Sequence, residues 1–193
     1  GGASGASAND VCTPFGGILT CSGDQSGGVS AIAPVVILNV TGLTSSITPV
    51  SGTGGVSLSQ STDSATVNVT IVPAYVITTS GADAAGVSAV SSVGSSSITS
   101  TANITTSGIR AHGVSASSVS SSTYVSSTGD IAVSGVDADA ISSLAGTSSV
   151  VYSNGSLSSG GRRGVNSQGG SGSSTVITDG NIASMSDGVF SMG

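Results

Sequence analysis

The stretch Ile77-Thr-Thr-Ser-Gly81-Ala-Asp-Ala-Ala-Gly-Val87-Ser-Ala returns nearly intact as Ile104-Thr-Thr-Ser-Gly108-Ile-Arg-Ala-His-Gly-Val114-Ser-Ala. A third copy follows as Ile131-Ala-Val-Ser-Gly135-Val-Asp-Ala-Asp-Ala-Ile141, so both steps are 27 residues. Self-similarity at such a period is the signature of stacked repeats, in which one unit cannot bury its apolar side without its neighbours. Apolar and small polar residues alternate inside each copy, as Ile131 and Val133 against Ala132 and Ser134. That is the period of a half-buried strand. No stretch holds a helical period, and Gly, Ser and Thr favour helix poorly.

The rule extends in both directions: an aliphatic residue, Gly four later in most copies, then Val or Ile. Its starts are Leu19, Leu38, Leu58, Ile77, Ile104, Ile131, Leu157 and Ile182, read as one core column. A second column six residues earlier takes in Ile32, Ile71, Ile98, Val125, Val151 and Val176. Turn formers such as Gly129-Asp130 and Gly180-Asn181 stand just before the later starts and supply the bends between strands. Stacked about 4.8 Å apart, such copies pair every strand with those above and below. The fold expected is an all-β parallel β-helix of about seven turns, with three short strands per turn. A Greek-key sandwich is the alternative, but it has no need of one motif at one offset. Each inward Ile, Val or Leu contributes roughly 1.5–3 kcal/mol relative to exposure.

Composition narrows the function classes. Only 6% of residues are charged, and the net charge is −6 with three cations, Arg110, Arg162 and Arg163. Nucleic-acid binding needs clustered Lys and Arg and is not expected. Nor is membrane insertion, because no apolar run approaches the roughly 18 residues of a spanning helix. Gly/Ser richness alone would fit a linker, but a linker has no reason to place β-branched residues at intervals. Residues 1–10 read as a flexible leader and 11–193 as one domain. Cys12 and Cys21 bracket Pro14-Phe15-Gly16-Gly17, which suits a hairpin, so 11–22 forms a cap that a disulfide could close. Two free thiols are the other reading; a bridge would imply an oxidising compartment.

Leu19-Thr-Cys-Ser-Gly23-Asp-Gln-Ser-Gly-Gly-Val29 after Cys12, followed by the Gly/Ser/Thr-rich repeat, resembles the amino-terminal part of bacterial autotransporter passengers. The resemblance implies a right-handed β-helix, secretion to the outer surface of a Gram-negative bacterium, and a role in adhesion, aggregation or biofilm formation. Expected partners are other copies, bacterial or host cell surfaces, or glycans. A self-assembling filament is a second reading, motivated by the open strand edge at residue 193, and a polysaccharide-processing β-helix a third.

Two residues after the motif Gly stand Asp83, Arg110, Asp137 and Arg163, expected to stack as a ladder of alternating sign. Four residues after it, His112 is expected to face Asp139. The competing reading is a ligand groove built on Arg110 and His112. No Gly-x-Ser-x-Gly elbow accompanies the single His, so a serine hydrolase is not expected. Asp137-Ala-Asp139 lacks the acidic nonapeptides of calcium-binding coils, and no metal or other cofactor is expected. The Asn-x-Ser/Thr triplets at Asn39, Asn68, Asn103 and Asn154 are uninformative in so Ser-rich a chain. Thr78 and Thr105 begin a flat Thr row of the kind that suits ice, but Ala132 ends it.

Overall fold

The computed structural model describes residues 9–193, which form a parallel β-solenoid. A hairpin opens it: β1 (Thr13–Phe15) runs antiparallel to β2 (Ile18–Gly23). Gly16 and Gly17 turn the chain there, with φ of 54° and 82°. Then come β3 (Val29–Ile32), β4 (Ile37–Leu43) and β5 (Val56–Gln60). From there each rung has three strands. The first is β6 (Ala65–Thr70), β7 (Val76–Ser80) and β8 (Val87–Ser91). The next is β9 (Ser96–Ser100), β10 (Asn103–Ser107) and β11 (Val114–Ser118). Below it lie β12 (Thr123–Ser127), β13 (Ile131–Val133) and β14 (Ile141–Ala145). These are followed by β15 (Ser149–Ser153), β16 (Leu157–Ser159) and β17 (Val165–Gly169). The last rung is β18 (Ser174–Thr178), β19 (Ile182–Ser184) and β20 (Val189–Met192).

Three sheets result. Sheet 1 runs β1-β2-β4-β6-β9-β12-β15-β18, sheet 2 runs β7-β10-β13-β16-β19, and sheet 3 runs β3-β5-β8-β11-β14-β17-β20. All pairings after the hairpin are parallel, which excludes the Greek-key alternative. Six windings carry the chain from β2 to β18, and β19 and β20 begin another. The first two rungs have no strand in sheet 2; in the second, Ile47 alone bridges to Ile77.

Ile77, Ile104, Ile131, Leu157 and Ile182 lie directly over one another in sheet 2, with Ile47 at their head. Ile47 through Leu157 are buried, and Ile182 is half-buried. Leu19, Leu38 and Leu58 belong elsewhere. Leu19 and Leu38 head a column of sheet 1 that continues through Val67, Ile98, Val125, Val151 and Val176. Leu58 lies in sheet 3, between Ala31 and Ala89. Along that sheet 1 column the steps are 19, 29, 31, 27, 26 and 25 residues. The spacings of about 20 from Leu38 to Leu58 to Ile77 therefore pass between sheets rather than complete a turn. Ile71 also falls outside the column, since Val67 holds that place, and Ile32 points outward, 68% exposed.

The interior changes character along its length. The inner column of sheet 3 reads Ala31, Leu58, Ala89, Ala116 and then Ser143, Ser167, Ser191. These hydroxyls zip to sheet 1. Ser143 Oγ meets Thr123 Oγ1 at 2.8 Å and Ser149 Oγ at 2.9 Å. Ser149 Oγ meets Ser167 Oγ at 2.8 Å, and Ser174 Oγ donates to Ser167 Oγ at 2.8 Å. A buried hydroxyl without a partner is costly, and here each supplies its neighbour.

The upper end is closed covalently, with Cys12 and Cys21 joined. In the chain-entropy picture a loop this short contributes about 2–3 kcal/mol. Asn9 and Asp10, expected to be part of a loose leader, are tied to the bend at 24–28. Asn9 Nδ2 donates to Gly28 O at 2.6 Å, and Asp10 Oδ2 accepts from Asp24 N–H at 2.7 Å. Fully buried Gln25 donates to the carbonyls of Asp10 and Ser22. Residues 1–8 of that leader lie outside the described residues.

Candidate functional site

The three arginines and four of the nine aspartates gather at the corner between sheets 2 and 3. Asp83, Arg110 and Asp137 occupy equivalent positions there with φ of 59°, 56° and 58°. Left-handed backbone is strained for a side chain like that of Arg, less so for Asp. Arg110 binds Asp83 with two parallel hydrogen bonds of 2.9 Å, from Nε to Oδ1 and from Nη2 to Oδ2. The guanidinium holds the Asp83 carboxyl below its usual range, and Asp83 in turn raises Arg110. Both side chains are well exposed, so the pair fixes register more than stability.

Arg163 does not continue that ladder over Asp137. Ten residues separate Ile131 from Ile141, but only eight separate Leu157 from Val165. Counted back from sheet 3, Arg163 stands over Asp139, and its carbonyl accepts the Ala140 N–H just as the Asp139 carbonyl accepts that of Gly113. The second column is therefore His112, Asp139, Arg163 and Asp187. Arg163 Nε lies 3.4 Å from Asp187 Oδ2, and its guanidinium sits 4.0 Å over the Phe190 ring, a cation–π contact.

At the centre is Asp139, whose side chain is fully buried. Its Oδ1 accepts from the Arg163 backbone N–H and its Oδ2 from Asn166 Nδ2, both at 3.1 Å. Gln168 Nε2 then donates to Asn166 Oδ1 at 2.9 Å. His112 Nδ1 accepts the Asp139 backbone N–H at 2.9 Å and lies 4.0 Å from Asp139 Oδ2. The neutral ring thus carries its proton on Nε2. In a hydrolytic triad the carboxylate would accept from Nδ1–H; here Nδ1 is already taken by an amide. The groups present act as a lock across successive rungs. Asn166, Gln168, Asp187 and Phe190 carry no repeat signal and become visible only once the corner shortens by two residues.

Burial lowers the His112 pKa below its ordinary 6.5, against a smaller upward pull from Asp139. A histidine depressed in the fold binds fewer protons than the unfolded chain, so stability rises with pH through that window. The fold should therefore be fully stabilised by this group above about pH 6.5 and lose that contribution as pH falls below it. Urea midpoints at pH 7.5 and 5.0 should drop less in His112→Gln than in the parent; equal drops would contradict this assignment.

A different surface lies on the outside of sheet 1. Tyr124 and Tyr152 are each 40% exposed there, with ring centroids 5.9 Å apart, and Val150 and Ile177 lie beside them. Asn39 and Asn68 stack higher on the same face through a 2.9 Å hydrogen bond. On sheet 2 the outward row reads Thr78, Thr105, Ala132, Ser158 and Ala183. Among the described residues no three potential metal ligands cluster, and no helix is long and apolar enough to cross a membrane. Comparison with known protein families, with curated proteins and with solved structures found no match to this chain.

Proposed function

We infer that the chain is a secreted or cell-surface structural rod of adhesive type, non-catalytic, whose sides engage cells, glycans or other copies of itself. The observation that carries this reading is the outer face of sheet 1. It displays aromatic and aliphatic side chains in register on a stacked, solid-cored frame, where they are held at fixed spacing without loops. The Cys12–Cys21 bridge favours an oxidising compartment. The resemblance to autotransporter passengers fits the outer surface of a Gram-negative bacterium. A net charge of −6 disfavours nucleic acid as a partner.

End-to-end assembly is a second reading. Against it, β1 runs antiparallel along the outer edge of β2. A last rung arriving from another copy meets that edge already paired, so parallel head-to-tail continuation in sheet 1 is blocked. Fluorescently labelled protein should bind bacterial or epithelial cells saturably and remain a short particle in electron micrographs. Absence of binding to any cell type, with no aggregation of cells displaying the chain, would remove the adhesive reading. Rods lengthening with concentration would replace it with the filament.

A further inference from the structure

We propose that the outer face of sheet 1 at β12, β15 and β18 is a binding site for a neutral hexose glycan, with Tyr152 as its stacking platform. The proposal rests on the adhesive reading and assigns it a place and a ligand class. A cleft of about 110 Å³ opens beside Tyr152 and Ile177, bordered by Ser126, Thr128, Asn154 and Asp179. Its size suits a single sugar ring rather than the larger ligands that fill pockets of about 300–1,000 Å³. The axial C–H groups of a pyranose pack against the electron-rich face of an aromatic ring, while its hydroxyls need donors and acceptors around the rim. Tyr152 and Ile177 supply the first.

The rim supplies the second. At other corners some polar side chains bond along the coil: Asn103 Oδ1 accepts from Asp130 N–H, and Asp130 Oδ1 from Ser156 N–H. Ser64, Ser95, Ser121, Ser122 and Thr147 likewise bond from rung to rung. Among the described residues, the side chains of Ser126, Thr128, Asn154 and Asp179 make no hydrogen bond within the chain. Two hydroxyls, an amide and a carboxylate are thus left together beside an exposed aromatic face.

Charge selects among glycans. Arg110, Arg162 and Arg163 all occupy the corner between sheets 2 and 3, which sheet 1 does not share, and the chain has no Lys. The cleft carries only the carboxylate of Asp179. An acidic polysaccharide would meet like charge with no cation to offset it, whereas a neutral chain would meet none.

Calorimetric titration with glucose-, galactose- and mannose-based hexasaccharides, and with an oligogalacturonate as the acidic control, tests the site. At least one neutral oligosaccharide should bind saturably, and the acidic one should not. Tyr152→Ala should weaken binding at least about tenfold, the loss of one well-packed aromatic contact, and Asn154→Ala should weaken it less. Both positions are exposed, so an unchanged circular dichroism melt is the expected folding control. No binding of any neutral oligosaccharide, equal binding of the acidic one, or indifference to both substitutions would each overturn the proposal. Cell binding by the same variants separates the two levels. If cells still bind Tyr152→Ala fully, the site is wrong and the adhesive rod stands; if cells never bind the parent chain, the rod reading fails whatever the titrations show.

Discussion

Gly135→Ala should be among the most damaging single-methyl additions this chain can receive. Gly81, Gly108, Gly135 and Gly161 stack at the exit of sheet 2, and a Cβ on Gly135 would run into the Gly108 carbonyl. The obstacle is backbone held by ladders on both sides, so no rotamer can move aside. Overpacking typically costs about 1–3 kcal/mol, and an unyielding neighbour puts this case at or above the upper end. For a chain of this length that is a fall of about 6–12 °C in melting temperature. Because each rung touches only its neighbours, the damage should concentrate between β10 and β13. Amide exchange should show protection lost there first, while the exposed neighbouring change Ser134→Ala stays near the parent. A Gly135→Ala melt within 2 °C or so of the parent would mean that the corner yields, contrary to the geometry.

Leu157→Ile should be costly alone and largely rescued by Ala140→Gly. One residue before the entries to β5, β8, β11 and β17 stands a glycine whose Cβ would strike an isoleucine Cγ2 of the following rung. The pairs are Gly55 with Ile77, Gly86 with Ile104, Gly113 with Ile131 and Gly164 with Ile182. At the one rung where that place is Ala140, the sheet 2 residue is Leu157, which has no Cγ2. The alanine methyl occupies the room that the isoleucine branch would need. A leucine-to-isoleucine change in a core usually costs under about 1.5 kcal/mol. Here overpacking should add to it, and Ala140→Gly should return most of that addition, although it removes a buried methyl and loosens the backbone. A double-mutant cycle read by urea denaturation should show a favourable coupling on the order of 1–2 kcal/mol. Simple additivity would sink the pairing.

The same pairs explain which parts of the fold could be read from the residues. From Ile77 onward the turns differ by only one or two residues, and a large aliphatic residue, Ile or Leu, holds the same place in sheet 2 in every rung, so the column stands out. Earlier, rungs of 29 and 31 residues place Leu38, Leu58 and Ile77 at nearly even spacing in three different sheets. Period alone cannot tell a full turn from two-thirds of one. The hydroxyl zipper of Ser143, Ser167 and Ser174 was hidden for another reason. Serine normally signals an outward position, and its inward placement is tolerated only because partners sit on the facing sheet. At the charged corner the Asp83–Arg110 pair and the meeting of His112 with Asp139 followed from offset counting. Arg163 did not, because counting forward from sheet 2 ignores a shortening that occurs before sheet 3. The aromatic cleft had no signature at all: Tyr124 and Tyr152 are two isolated residues in the sequence, brought together only by winding.

That shortening separates two kinds of inheritance within one molecule. The strands on either side keep their partners, Leu157 on Ile131 and Val165 on Ile141, while the side chains between them are dealt to new neighbours. Losing two residues at a bend thus rewrites which charges meet on the rim and leaves the spine untouched. A coil of this kind can trade its exterior recognition pattern by small deletions, at little risk to the scaffold that displays it.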